Sequence, residues 1–395
     1  MPQRSPCPSP WPFVSWRYLP HRSCLVNLRI PGPTPCPDDV LEAMSRQMIN
    51  HRGPEFAEIA DRVTKGLQRL FQTEHDVLTL TASGTGAMEA MIVNMLSPGD
   101  RVLGISIGAF GDRFATIAET YGAEVERLAF DWGTAADPQL VADALEKDPK
   151  LTAVLVTHNE TSTGVTNDLQ ALASAIRGVR PDALILVDAI SSLGSLPCPV
   201  DTWDLDVVAT GSQKGWMVPP GLAMCSVSPR AWAAFEQAKM PRFYFDFGKA
   251  RDFLAKGQTP WTPAVSLFYA LDVALERLVA EGIGGIVERH VLLGEHTRRG
   301  VKALGLELFA DEAHASNTVT AVKVPDGVDG GELNKLMREE YGVVLAGGQG
   351  KLAGQIFRIG HLGWAHTDEL DATFDALRQA LPRLGFQLPE AAQAR

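Results

Sequence analysis

From residue 77 onward, short apolar runs alternate with segments in which apolar positions return every three to four residues. The runs are VLTL at 77–80, RVLGIS at 101–106, EVERLAF at 124–130, TAVLVTH at 152–158, ALILVD at 183–188, DVVAT at 206–210 and LAMCSV at 222–227. Unbroken apolar runs of this length predict strands buried on both faces, and the segments between them predict helices near 86–96, 110–121, 137–146 and 168–177. The expected fold is therefore α/β: a mostly parallel, seven-stranded sheet with helices on both faces. Upstream, NLRIPGPTPCP reads as an extended, proline-fixed arm, followed by helices at 38–49, behind the acidic pair Asp38 and Asp39, and at 55–71. The alternation ends near Pro263. Helices at 264–282 and 285–304, a strand at 318–324, a helix at 329–340, the strands VVLA and QIFRIG and a closing helix at 367–384 predict a smaller α+β domain. The domains expected are a leader at 1–26, a large domain with an N-terminal arm at 27–283, and a small C-terminal domain at 284–395.

The leader stands apart. Pro2, Pro6, Pro8, Pro10, Pro12 and Pro20 interrupt any apolar centre that a signal peptide would need, so disorder is expected there; the alternative is that the native protein begins near Val26 and the leader is an over-long start. A net charge of −11 and the lack of a Lys/Arg cluster argue against a nucleic-acid partner. No apolar stretch approaches a membrane span. The five cysteines are far apart, without CxxC or metal-ligand spacing, which fits a reduced cytoplasm and no metal.

Candidate chemistry gathers where predicted strands end. TGSQKGW, at 210–216, forms the turn between DVVAT and LAMCSV. Desolvation there would lower the pKa of Lys214 and make its amine a nucleophile toward a carbonyl, as in a Schiff base with pyridoxal phosphate; an ammonium escaping into solvent is the other reading. SGTGAMEA, at 83–90, follows a strand and opens a helix, so Ser83, Gly84 and Thr85 could hold a phosphate, or form an ordinary turn. Asp188 ends an apolar strand in VDAISS, where it either meets a cation such as a protonated pyridine nitrogen or caps the next turn. The hydroxyls and carboxylate of THNETSTG, at 157–164, could bond the cofactor's phenolic oxygen, or make a polar turn. Arg358, in IFRIGHLG, matches a substrate carboxylate or a structural ion pair. Phe110 could stack on a ring or belong to the core. His51 and Arg52 read as an exposed pair before Gly53 and Pro54.

Taken together, PGPT, HRGPEF, SGTGAMEA, HNETSTG, VDAISSLGS, TGSQKGW, TPWTP and FRIGHLG stand in an order that resembles the class V aminotransferases of fold type I, over about residues 27–385. The group resembled is that of alanine–glyoxylate and serine–glyoxylate aminotransferases, nearest the archaeal and bacterial enzymes of broad serine or aspartate specificity. The resemblance implies Lys214 as the cofactor-bearing lysine and Asp188 as partner of the pyridine nitrogen. It implies Ser83, Gly84, Thr85 and Gln213 as the phosphate cradle, Thr262 as a contributor from the other subunit of a homodimer, and Thr161 at the ring oxygen. Phe110 falls at the ring-stacking position, Ile190 among the cofactor contacts, and Arg358 at the substrate carboxylate. His51 and Arg52 sit where relatives reach across the dimer to the substrate.

The activity expected is ping-pong transamination between alanine or serine and glyoxylate or pyruvate. Aspartate with 2-oxoglutarate is the alternative if Arg52 takes a second carboxylate, and a lyase or desulfurase shares the fold. A nicotinamide enzyme fits less well, because Gly348, Gly350 and Ala353 precede a strand where a dinucleotide fingerprint should follow one.

Overall fold

A computed structural model describes residues 26–393, so most of the 1–26 leader, with the expectation of disorder placed on it, lies outside the described residues. The strands are β1 (Asn27–Arg29), β2 (Asp76–Ala82), β3 (Arg101–Ser106), β4 (Glu124–Ala129), β5 (Leu151–Thr157), β6 (Asn159–Glu160), β7 (Val165–Thr166), β8 (Leu184–Asp188), β9 (Val207–Gly211), β10 (Gly221–Val227), β11 (Val319–Lys323), β12 (Val343–Gly347) and β13 (Ile356–Gly360). Seven of them form the main sheet in the order β2-β10-β9-β8-β5-β3-β4. All neighbours pair in parallel except β10, which is antiparallel to both β9 and β2.

The unbroken apolar runs have a visible consequence. Along β5, Val154 and Val156 enter one core with the helices Pro54–Phe71 and Val265–Ala303, while Ala153 and Leu155 enter a second core with the helices Gly84–Met95 and Ala109–Thr120. Both faces of the central strands β5, β8 and β9 are therefore dry, and polar groups there reach solvent or ligand at the strand ends; the edge strand β4, read from EVERLAF as buried on both faces, is instead exposed or half-buried along its length, having a neighbour on one side only.

A second sheet has the order β1-β12-β13-β11 and carries its own core, including Leu333, Met337, Val343, Phe357, Ile359, Leu370 and Leu377. Its first strand comes from the arm: Leu28 pairs with Val344, in parallel. The chain then runs from this sheet to the turn between β9 and β10, where the Thr34 N–H donates to the Gln213 carbonyl at 3.1 Å.

Several expectations change in detail. The helix expected at 38–49 spans only Asp38–Ala43, with Ser45 Oγ donating to the Glu42 carbonyl at 2.7 Å, a side-chain bond that competes with helix continuation. The two helices expected at 264–304 join into one run, Val265–Ala303, broken at Gly282, whose φ of 73° and ψ of 157° lie outside the helical region. The β6–β7 hairpin and the helices Pro229–Phe235 and Phe247–Leu254 were not expected. Among the described residues no helix is long and apolar enough to cross a membrane.

Candidate active site

The carboxyl ends of β2, β5, β8 and β9 face one crevice, and the turn from β9 to β10 closes it. That turn is pinned from within. Ser212 Oγ donates to the Pro219 carbonyl (2.8 Å), Trp216 Nε1 donates to Thr210 Oγ1 (2.9 Å), and the Trp216 ring, fully buried, stacks on Phe71. Lys214 projects from this fixed turn, half-buried. Its Nζ donates to the Pro31 carbonyl at 2.6 Å, and a Cβ on Gly32 would lie 2.6 Å from Nζ, so only glycine lets the arm pass so close. Burial lowers the Lys214 amine to about 8 against the pull of Asp188 in the other direction, with Arg358 and Arg113 adding to the lowering.

Asp188, 4% exposed, ends β8 and accepts a hydrogen bond from the Ile190 N–H (3.0 Å). Burial raises its carboxyl to about 7; that one N–H lowers it, Glu160 raises it, and Lys214 and Arg113 lower it. Ser83 caps the helix Gly84–Met95, its Oγ accepting from the Gly86 N–H. A Cβ on Gly84 would strike Ile190 Cδ1 at 2.6 Å, so glycine allows the helix start and the β8 turn to meet. The resulting cavity, about 130 Å³, brings together Ser83, Gly84, Thr85, Phe110, Thr161, Asp188, Ile190, Gln213 and Lys214. The Gln213 Oε1 is buried without a hydrogen-bond partner.

Arg358 lies on β13, 5% exposed, behind this cavity. It donates to the Gly347 carbonyl (3.0 and 2.7 Å) and to the Thr161 carbonyl (2.9 Å), and no described carboxylate forms an ion pair with it. The structural ion pair left open by the sequence is absent among the described residues, and burial lowers the guanidinium to about 10.

His51, Arg52 and Thr262 do not line the cavity of this protomer. Arg52 donates to Gln258 Oε1 (3.0 Å) and to the carbonyls of Thr259 (2.8 Å) and Pro260 (3.1 Å), which fixes it on the same surface segment that leads to Thr262. Sequence reasoning missed Arg113, which lines the cavity one helical turn after Phe110 and holds its guanidinium 4.6 Å from the Phe110 ring centre. It also missed Asn159, whose Nδ2 donates to Ser191 Oγ and Thr318 Oγ1 while its Oδ1 accepts from Thr166 and Ser316. The carboxylate of THNETSTG, expected at the cofactor's phenolic oxygen, instead turns onto the backbone of the neighbouring helix: Glu160 Oε2 accepts from the N–H groups of Phe110 and Gly111.

A family model described as aminotransferase class-V matches residues 26–358. A Synechococcus protein named as the small subunit of a soluble hydrogenase is 48% identical over 91% of this chain and 94% of its own. A serine–glyoxylate aminotransferase of Methylorubrum extorquens is 38% identical over 85% of this chain and 86% of its own. The crystal structure of an alanine–glyoxylate aminotransferase from Nostoc sp. matches with a TM-score of 0.86 at 31% identity, covering 90% of this chain and 94% of that one.

Proposed function

Because the chain belongs to the class-V aminotransferase family, whose members depend on pyridoxal phosphate, we propose that it exchanges the amino group of alanine or serine with glyoxylate or pyruvate. One observation carries the reading: a lysine amine lowered to about 8 and a buried aspartate raised to about 7 share one cavity at the mouth of the sheet.

The residues fit the cofactor. The N-terminus of the Gly84–Met95 helix, with the hydroxyls of Ser83 and Thr85 and the side-chain amide of Gln213 lining the same cavity, suits a phosphate, to which the Gln213 NH₂ would donate. Asp188, short of hydrogen bonds, suits a pyridinium N–H. Phe110 and Ile190 offer flat apolar contact, and Thr161 the ring oxygen. Bound there, pyridoxal phosphate supplies a cationic ring that draws off the electron pair left when Cα loses its proton. Lys214 would hold the cofactor through its Nζ and, once freed by an incoming amino acid, would be the base that takes and returns the Cα proton at that same atom. Arg358, held by the Gly347 and Thr161 carbonyls without a carboxylate partner among the described residues, would meet the substrate carboxylate, and the Pro31–Pro33 arm covers the lysine through the Pro31 carbonyl. Two half-reactions alternate, so kinetics are ping-pong. We place the enzyme in the cytoplasm as a homodimer, with Thr262, His51 and Arg52 of the partner subunit completing each site.

A second reading, with aspartate as donor, is favoured by Arg113, a cavity-lining guanidinium for which the described residues supply no ion-pair acid. Arg52, engaged by its own protomer, is the weaker candidate for that carboxylate. The hydrogenase name belongs to the Synechococcus relative. Redox metals are held by clustered thiolates and imidazoles, and no three His, Cys, Asp or Glu side chains form such a group among the described residues. A desulfurase needs an available thiolate, whereas among the described cysteines burial pushes the Cys36 thiol up to about 11 and those of Cys198 and Cys225 up to about 12.

The test is a donor–acceptor matrix on purified protein. A yellow chromophore fixed at position 214 by borohydride, with alanine or serine as donor and glyoxylate or pyruvate as acceptor, is expected. A colourless protein, or a Lys214→Ala variant that keeps turnover, would overturn the reading. Loss of aspartate activity alone in Arg113→Ala would establish the second donor.

A further inference from the structure

Two helices begin at the crevice: Gly84–Met95 and Ala109–Thr120. The start of each carries N–H groups without partners inside the helix and the positive end of its dipole, which together draw an anionic or oxygen acceptor. They differ in what caps them. The first has a local cap, Ser83. The second starts after Gly108, which has no side chain to offer, and is capped instead by a loop some fifty residues further along the chain.

That cap is complete. Ala109 N–H donates to Ser162 Oγ (3.0 Å), and Phe110 and Gly111 N–H donate to Glu160 Oε2 (3.0 and 3.1 Å). The other carboxylate oxygen, Oε1, accepts from Ser162 N–H (3.1 Å) and Ser162 Oγ (2.6 Å). Glu160 is 0% exposed, and a Cβ on Gly108 would lie 2.4 Å from its Cγ, by the same geometry that leaves room for the carboxylate and for nothing else. Burial pushes this carboxyl up, while the donors from Ser162, Gly111 and Phe110 pull it down. The adjoining residue in the loop is Thr161, whose carbonyl holds Arg358.

We propose that Glu160 is a positioning residue: it occupies the N-terminus of the Ala109–Thr120 helix, fixes where Phe110 and Arg113 stand over the cavity, and leaves the Gly84–Met95 helix as the one open anion site for a phosphate. The inference rests on the functional reading above, because it assigns the phosphate and the stacked ring to a bound pyridoxal phosphate. Phe110 itself donates one of the two helix N–H bonds to Glu160, and Arg113 follows one turn later. A shift of that turn therefore moves both the ring and the cation.

Glu160→Gln is an informative substitution. An amide has one acceptor oxygen where the carboxylate has two. If the oxygen faces Phe110 and Gly111, the NH₂ meets the Ser162 N–H; in the flipped pose it meets the two helix N–H groups. Either pose leaves donor against donor.

The holoenzyme and its Glu160→Gln variant are compared by three measurements. Amide exchange over residues 107–114 is expected to quicken. Release of the cofactor on dialysis is expected to rise about tenfold, the scale of one charge-assisted pair. The visible circular dichroism of the bound cofactor, which reports the asymmetry around its ring, is expected to change in amplitude. A carboxylate that only stabilised the fold would alter exchange and melting, yet leave the circular dichroism and release rate unchanged; that result overturns the proposal. If Glu160→Gln does not fold, Ser162→Ala removes the Ala109 acceptor and one carboxylate donor. A smaller change of the same sign in release and circular dichroism then supports the proposal, and no change in either overturns it. A wild-type protein that holds no cofactor defeats the functional reading itself, whereas a yellow wild type matched by an identical variant defeats only the role of Glu160.

Discussion

Two buried aspartates sit on neighbouring parallel strands and meet opposite fates. Asp206, fully buried at the amino end of β9, accepts from Arg177 Nη2 and Arg230 Nη1 (2.6 Å each), the Ile185 N–H (2.8 Å) and Ser228 Oγ (2.9 Å). Asp188, at the carboxyl end of β8, accepts from the Ile190 N–H. Both have left water, and a buried carboxylate is costly unless paired. The first is satisfied by its own chain. The second is held at about 7, ready to ionise once a cation arrives. The sheet thus spends its charges on stability at one edge and reserves them for a ligand at the other.

The contrast predicts separable losses. Asp188→Asn keeps the shape and removes the charge that a pyridinium would meet, so transamination is expected to fall by roughly 10²–10³-fold, the scale of one electrostatic partner in a dry site. Thermal unfolding of the cofactor-free protein should barely change, since no internal ion pair is broken. A variant that lost stability but kept turnover would erase the distinction. Asp206→Asn is the converse. Its amide must turn a donor toward an arginine or toward the Ile185 N–H, and breaking a buried pair of this kind costs about 3 kcal/mol. Denaturant unfolding should register that loss, while kcat per folded molecule stays near wild type.

The architecture was legible because the central strands are dry on both faces. Runs such as RVLGIS and ALILVD have one plausible place in a fold, and their observed limits fall within about a residue of the pattern. Lys214, Asp188 and Ser83 were legible for the same reason, as polar residues set where apolar runs stop. Glu160 and Arg113 were not. Their roles depend on a loop at 159–164 meeting a helix start near 109, a contact that no periodicity encodes. The β6–β7 hairpin escaped notice because each of its strands has two residues and its partners are hydroxyls and amides, not an apolar face. The short helices Pro229–Phe235 and Phe247–Leu254 did carry a signal in their N-caps, Ser228 and Asp246, too brief for an amphipathic pattern to confirm.

The smallest expected effect sharpens the contrast most. Capture of pyridoxal phosphate by the cofactor-free protein needs Lys214 as the neutral amine, and burial sets that amine at about 8. A lowered pKa means that the reactive form accumulates as pH rises through that value, so the capture rate should climb about fivefold between pH 7 and 8 and level off above. Asp188 is the group that opposes the lowering, because its carboxylate favours the ammonium, whereas Arg358 and Arg113 favour the amine. Removing that carboxylate in Asp188→Asn should move the midpoint to lower pH. Asp206→Asn, whose charge is not among the influences on the lysine, should leave it in place. The initial rate of appearance of the visible band, followed from pH 6 to 10 in the three proteins, reads this directly. A midpoint above 10 in the wild type, or an equal shift in both variants, would mean that the two edges of the sheet do not differ electrostatically as their hydrogen bonds imply.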